Sequence, residues 1–126
     1  MIGNRICALA LPAAFAILGF ASPAIAAPFD GSWNMLVVTT NGHCGKIKVG
    51  LAISGGRISS TSGSFVFHPI RLAGHLSGSG QARIKAVAGP RIANGTGRFN
   101  RSGGSGKWNG TGPSGVCSGV WSAVRS

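Results

Sequence analysis

An alternation of apolar and polar residues with a period of two is the feature of this sequence that most restricts its fold. Residues 46–54, KIKVGLAIS, place four branched apolar side chains on one face of a strand and both lysines on the other, because successive side chains of a β-strand point to opposite faces. The same period recurs in residues 32–40 and 81–87. No part of residues 27–126 sustains a helical period, so the sequence predicts an all-β fold.

Glycine-rich segments at short, regular spacing predict turns between the strands. They are SGG at 54–56, SGSG at 77–80, AGP at 88–90, NRSG at 100–103 and TGPSG at 111–115. Together they indicate eight short strands, which favours an antiparallel up-and-down β-barrel or a sandwich. The fourth strand, within residues 65–76, contains Pro69, which lacks a backbone donor, so we expect a bend, bulge or break there.

The first 26 residues have the pattern of a cleaved secretory signal peptide. A basic start ending at Arg5 precedes an apolar run over residues 6–20, and Ala24 and Ala26 occupy the small-residue positions before the cut. The apolar run is short for a membrane span, and an uncleaved anchor is the alternative. Residues 27–126 are then expected to be a single periplasmic or secreted domain, and no segment of this mature chain is expected to span a membrane.

The mature chain contains two cysteines, Cys44 and Cys117. Two cysteines in an exported protein pair far more often than they act as thiols, so we predict a disulfide between them. In a closed meander of eight strands, the end of the first strand and the start of the last lie at the same rim. An odd strand count would put them at opposite ends. The expected disulfide therefore favours a closed barrel over a sandwich. It would link the first and last strands at the seam, where the sheet closes.

The mature chain is also strongly basic. Eleven lysines and arginines remain once Arg5 is removed, against Asp30 as the one acidic residue, for a net charge of +10. Such a field attracts an anionic polysaccharide, lipopolysaccharide or a small acidic ligand, and nucleic acid only non-specifically. The alternative is that the charge serves only to keep a small exported protein soluble.

A Gly-x-aromatic motif occurs five times, at residues 31–33, 63–65, 97–99, 106–108 and 119–121. Because positions i and i+2 share a strand face, each glycine leaves room beside a large ring, as the interior of a small barrel requires. The rings are expected to fill the core, and the alternative is that some line an open end and stack on a ligand. The candidate ligand site lies in the two hairpins before the last strand and comprises Arg98, Arg101, Lys107 and Trp108, with Arg98 and Lys107 pointing away from the core.

FDGSW at the start of the mature chain, combined with a basic residue at the end of the last strand, resembles the calycin pattern of lipocalins and avidins. The resemblance implies that Arg125 covers Trp33 through a cation–π contact and seals one end of the barrel. The ending, with its Cys-x-Gly-x-Trp-x-Ala-x-Arg spacing, is similar to that of small exported bacterial β-barrel proteins of uncharacterised function.

The residue types needed for common enzymatic chemistry are scarce. Paired-carboxylate catalysis needs two acids, and no GxSxG motif is present. His43, His68 and His75 lack the spacing of a metal site, so we expect neither a metal nor another cofactor, with a haem site or a metal-free nuclease as alternatives. The sequence thus predicts a monomeric, non-enzymatic binding protein. The remaining alternatives are a small protease inhibitor, acting through an exposed loop or residues 27–30, and a structural envelope protein.

Overall fold

The computed structural model describes residues 27–126, so the expected signal peptide lies outside the described residues. Within them, one turn of 3-10 helix, Ala27–Phe29, precedes ten β-strands. In chain order these are β1 (Gly31–Asn41), β2 (Lys46–Ser54), β3 (Arg57–Ser62), β4 (Ser64–Phe65), β5 (His68–Pro69), β6 (Arg71–Leu76), β7 (Gln81–Ala88), β8 (Arg91–Phe99), β9 (Gly103–Gly112) and β10 (Gly115–Arg125).

Eight strands of this described region form a closed antiparallel barrel, in the order β1, β2, β3, β6, β7, β8, β9, β10. β10 pairs with β1 from Arg125 opposite Trp33 to Ser118 opposite Asn41, and this ladder closes the sheet. The inward faces predicted for residues 33–37, 47–53 and 82–86 alternate with exposed or partly exposed positions. The predicted eight-stranded up-and-down barrel is therefore confirmed.

The expected fourth strand is interrupted where Pro69 stands. β4 and β5 form a separate two-stranded hairpin in which Pro69 is opposite Ser64. The fourth strand of the barrel, β6, begins only at Arg71. Because Pro69 lies outside the barrel ladder, its missing backbone donor weakens no pair of barrel strands.

The two ends of the barrel differ in what they carry. We call one the disulfide end: it holds the β4–β5 hairpin, the turns at 89–90 and 113–114, and the predicted disulfide between Cys44 and Cys117, whose Cα atoms are 6.2 Å apart. This bond spans the β1–β10 seam and is expected to stabilise the fold by roughly 4 kcal/mol through loop closure. The opposite end, called the closed end, holds residues 27–30, the turns at 55–56 and 100–102, and Arg125.

Three aromatic rings pack inside the barrel toward the closed end. Trp33 meets Phe99 edge-on with ring centroids 5.1 Å apart, and Phe99 lies 5.5 Å from Trp121. Gly106 is directly opposite Trp121 on the neighbouring strand, and a Cβ at this glycine would lie 2.6 Å from the indole Nε1. Gly106 therefore makes room for a ring, as its motif predicts, but the ring belongs to the adjacent strand rather than to its own motif.

The tip of the β4–β5 hairpin is strained. Val66 and Phe67 both adopt the left-handed backbone conformation, with φ of 49° and 65°. A two-residue turn of this kind favours Asn-Gly, and a residue with a Cβ costs roughly 1–2 kcal/mol there. Burial does not offset this cost, because the side chain of Phe67 is 100% exposed.

We predict that Gly106→Ala destabilises the barrel by about 2 kcal/mol, because the added methyl overlaps both the Thr96 carbonyl oxygen and the Trp121 ring. Gly103→Ala, on the same strand, is the matched control: its Cβ would lie 3.5 Å from the Ala123 carbonyl oxygen, an ordinary contact. Urea unfolding of both variants measures the difference. Equal unfolding midpoints would show that the Trp121 packing does not depend on this glycine.

Candidate functional site

An apolar cavity occupies the part of the barrel interior nearer the disulfide end. Its volume is about 120 Å³. The inward positions here carry small residues, among them Ala86, Ala93, Gly95 and Gly110. These side chains are too short to fill the barrel, so the interior is open here. Near the closed end, by contrast, Trp33, Phe99 and Trp121 fill it.

The cavity wall combines two indole rings with aliphatic side chains and the disulfide. Trp108 and Trp121 both line it, together with Met35, Leu72 and Cys117. The Trp108 Nε1 donates to the Val38 carbonyl at 3.2 Å, and the Trp121 Nε1 donates to the Thr96 carbonyl at 3.2 Å. Because both indole donors are bonded to the barrel backbone, neither needs a partner from a ligand, and the wall is suited to apolar groups.

The mouth of the cavity, formed by Phe65, Arg91 and residues 111–115, lies at the disulfide end. Arg91 is the only charged residue among the described residues that line the cavity. Its guanidinium carbon lies 5.3 Å from the centroid of the Phe65 ring. The stem of Arg91 passes over Gly112, where a Cβ would be 2.7 Å from the arginine Cγ. Arg91 is therefore partly buried, with its charge held beside an aromatic ring at the entrance.

Arg91 has no carboxylate side chain near it. Asp30 is the one acidic residue of residues 27–126, and it lies at the closed end, where its Oδ1 accepts a hydrogen bond from the Gly55 N–H at 3.1 Å. The positive charge at the mouth is thus not neutralised within the described chain, so the mouth favours an anionic group.

The four residues expected to form a ligand site do not come together. Arg98 and Arg101 lie at the end of β8 and in the following turn, which places them at the closed end, away from the cavity mouth. Lys107 is exposed on the outer face of β9, while Trp108, the next residue, lines the cavity. Of the four, only Trp108 contributes to the cavity, because neighbouring residues on a strand point to opposite faces.

Arg125 lies across the closed end. Its guanidinium carbon is 4.6 Å from the centroid of the Trp33 ring. Its three nitrogens donate to backbone carbonyls of Arg101, Asp30 and Pro28, the Asp30 contact being 2.9 Å. The Trp33 Nε1 in turn donates to the Phe29 carbonyl at 2.9 Å. These contacts bind residues 28–30 to the barrel.

The histidines are dispersed. His43 follows β1 and His68 lies in the β4–β5 hairpin, packed over Gly89, whereas His75 lies near the end of β6. Across residues 27–126, no three His, Cys, Asp or Glu side chains are grouped in a way that could hold a metal ion. In the same region, no helix has the length and apolar character needed to cross a membrane.

Comparison with known proteins gives no assignment to a family. No family model matches the chain, and no curated protein matches it significantly.

We predict that Arg125→Ala lowers the free energy of unfolding by about 2 kcal/mol, because it removes the cation from Trp33 and three hydrogen bonds, two to residues 28–30 and one to the turn at 100–102. Arg125→Lys keeps a cation but loses the planar group that reaches several carbonyls, so about half of the loss is expected. Arg98→Ala, an exposed cation at the same end, is the control and changes stability by less than about 0.5 kcal/mol. If thermal unfolding gives Arg125→Ala and Arg98→Ala the same stability, the contacts of Arg125 do not stabilise the closed end.

Proposed function

We propose that this chain is an exported, non-enzymatic binding protein that holds a small amphipathic acid, with its apolar part in the barrel and its acidic group at Arg91. The observation that carries the proposal is the apolar cavity whose lining includes a single cation, placed at the mouth. Ligand pockets in proteins are mostly apolar, with a few polar groups that orient the ligand. An anionic ligand is also what the sequence predicts, but here the cation is Arg91 and not Arg98, Arg101 or Lys107.

The volume of the cavity limits the size of the apolar part of the ligand. A dry cavity of about 150 Å³ lined by aliphatic and aromatic side chains binds benzene. The cavity of about 120 Å³ therefore suits one small ring or a short alkyl chain. Such a ligand reaches the Trp108 and Trp121 rings with its apolar end and leaves its polar end at the mouth.

The charge of the chain supports an acidic group at the polar end. Arg91 donates up to five N–H bonds in a planar arrangement that matches a carboxylate. With a net charge of +10 on residues 27–126, the surrounding field also raises the local concentration of anions. A neutral ligand of the same shape would gain the apolar contacts but not these two contributions.

The disulfide is compatible with an oxidising location. We infer periplasmic or secreted localisation from this bond together with the signal-peptide pattern of residues 1–26. The contact of Arg125 with Trp33 supports the calycin resemblance, in which a last-strand cation covers a first-strand tryptophan. A barrel closed at one end and open at the other also suits binding of a small ligand.

Octanoate and octanol, titrated by calorimetry, test the role of Arg91. We predict that Arg91→Gln weakens octanoate binding about tenfold, which corresponds to the roughly 1.5 kcal/mol of a charge-assisted hydrogen bond. Octanol binding should be unchanged. Arg98→Gln removes the same charge at the closed end and should leave both affinities within about twofold of the unsubstituted protein. Equal losses in the two variants would show that only net charge matters.

Filling the cavity tests the same site without changing its charge. Ala86→Leu places a larger side chain among the lining residues, so octanoate and octanol should both lose affinity while the fold is retained. If octanoate binds this variant as before, the ligand does not enter the barrel, and the proposed function fails.

A second candidate, binding of an anionic polymer on the outer wall, is favoured by one row of side chains. Arg57, His75 and Arg83 are directly opposite one another on β3, β6 and β7, and all three are exposed. The row continues through Thr96 to Lys107 on β9. A polyanion lying across the strands would contact Arg57, Arg83 and Lys107 along this one row.

Heparin chromatography tests the second candidate. Retention should fall steeply between about 50 and 200 mM salt, because binding releases counterions from the polymer. Arg83→Gln should reduce the slope of log affinity against log salt by about one unit. Lys46→Gln, outside the row, is the control and should reduce it less. Retention that is insensitive to salt, or equally sensitive in the two variants, would contradict binding at this row.

A further inference from the structure

The β4–β5 hairpin presents apolar side chains to solvent at the disulfide end. Phe67 is 100% exposed and Val66 is 47% exposed, both at positive φ. An aromatic residue that is held in an unfavourable turn and buries nothing is not explained by the stability of the folded chain. The hairpin lies beside the cavity mouth, because Phe65 at its base is one of the residues forming that mouth.

A row of four side chains, three of them apolar, crosses the outside of the same end on four of the eight barrel strands. Val87, Ile92, Thr111 and Val116 are directly opposite one another on β7, β8, β9 and β10. They share the outer face of the barrel, where Val116 is 68% exposed and Ile92 is 44% exposed. We call this row the outer collar. Together with Phe67 it gives the disulfide end an apolar rim on its solvent side, a feature that marks interaction surfaces.

Cations stand directly behind and beside the outer collar. Arg71 is opposite Val87 in the same cross-strand row, and Lys85 precedes Val87 by two residues on β7. Two residues along a strand cover about 7 Å. Arg91 at the mouth adds a third positive charge, and the one acidic residue of the described chain, Asp30, is at the opposite end. The disulfide end therefore combines apolar side chains at its rim with positive charge, beside the row at Arg71 and about 7 Å farther from the end at Lys85.

We propose that the disulfide end docks on a lipid bilayer with anionic headgroups, with Phe67 and the outer collar inserted at the interface. Interfacial segments bury their apolar face about 5–10 Å into the boundary between headgroups and acyl chains. At that depth Lys85, about 7 Å farther from the end than Val87, lies at the level of the lipid phosphates, and Arg71 lies beside the inserted row. Each cation near an anionic surface adds attraction. The cavity mouth then faces the bilayer.

Two other partners fit these observations less well. An anionic polymer would contact the row of Arg57, His75 and Arg83 on the outer wall, and it gains nothing from an exposed Phe67. A protease inhibitor presents an extended loop to the enzyme, whereas Val66 and Phe67 form a tight left-handed turn between two paired strands. Among these partners, the bilayer is the one that takes up the apolar rim and the charges together.

Vesicle co-sedimentation of the mature chain tests the proposal, using phosphatidylglycerol mixed with phosphatidylcholine. The double variant Val66→Asn, Phe67→Gly removes both exposed side chains and installs the dipeptide that this turn favours, so its melting temperature should equal or exceed that of the unsubstituted chain. Its vesicle affinity should fall about tenfold or more, since burial of an aromatic ring is lost. Val124→Ser is the matched control, because Val124 is 57% exposed at the closed end. It should bind vesicles normally.

Fluorescence locates the contact. Vesicles whose acyl chains carry bromine should quench the fluorescence of the tryptophan introduced by Phe67→Trp. In the Val124→Trp variant they should quench no more than the fluorescence of the three native tryptophans. The proposal is overturned if the chain does not bind the anionic vesicles, or if the double variant binds them as well as Val124→Ser does. It is also overturned if Arg83→Gln, on the outer wall, weakens vesicle binding more than loss of the hairpin tip.

These outcomes are separable from those of the proposed function. Octanoate binding is measured in solution without lipid, and the double variant keeps Arg91 and the small residues of the cavity. If the double variant binds octanoate normally but not vesicles, both proposals stand. If it binds vesicles normally, docking by the hairpin tip fails, whatever the octanoate result.

Discussion

Trp121 packs against strand backbones that carry no side chain at Gly97 and Gly106, and the rest of the barrel depends on this contact. A Cβ at either glycine would overlap the indole ring or a backbone carbonyl. The glycines therefore allow a large ring to lie close to β8 and β9, where it meets Phe99 and, through Phe99, Trp33. This stack lies in a core that also buries aliphatic side chains such as Leu51, Ile53 and Ile58, and a domain of 100 described residues has only one such core.

The asymmetry of the interior follows from where the rings end. Toward the closed end the aromatic stack leaves no opening, and Arg125 lies over Trp33 and binds the N-terminal segment. Toward the disulfide end several inward positions on β7, β8 and β9 are alanine or glycine, and the interior contains a cavity that reaches the rim. Close packing and open space are thus separated along the barrel axis: the rings pack at one end, and small residues leave a cavity toward the other.

Charge is arranged on the same axis. Cations cover the outer wall and stand around the mouth, while Asp30, the single acidic side chain, is used at the closed end to hold the Gly55 turn. With no acid to pair with them, the cations are free to act on an external anion. The apolar rim formed by Phe67 and the outer collar adds a second kind of attraction at the disulfide end, and it is there that the cavity opens.

Much of the architecture was predictable because it rests on local patterns. Two-residue alternation gave the inward faces of β1, β2 and β7, glycine-rich segments gave the turns, and an even strand count placed Cys44 and Cys117 at one rim. The position of Arg91 in the candidate site could also have been predicted from the sequence. Arg91 has the same parity on β8 as Phe99, so it shares the inner face, and its place at the start of the strand puts it at the mouth. The predicted site of Arg98, Arg101, Lys107 and Trp108 rests instead on neighbouring glycines and on charge, which carry no information about the end of the barrel at which each residue lies.

The amino-acid sequence alone determined the fold class, the seam and the sign of the charge, because strand periodicity, cysteine number and composition act through neighbours in the chain. Only the tertiary structure decided where the interior is filled and where it is empty. That outcome depends on which glycine faces which ring across adjacent strands, as Gly106 faces Trp121. It depends equally on closure of the sheet, which brings Arg91, Phe65 and residues 111–115 around one opening. Contacts between strands far apart in sequence carry no local pattern, so the cavity and its apolar rim appear only once the barrel is closed.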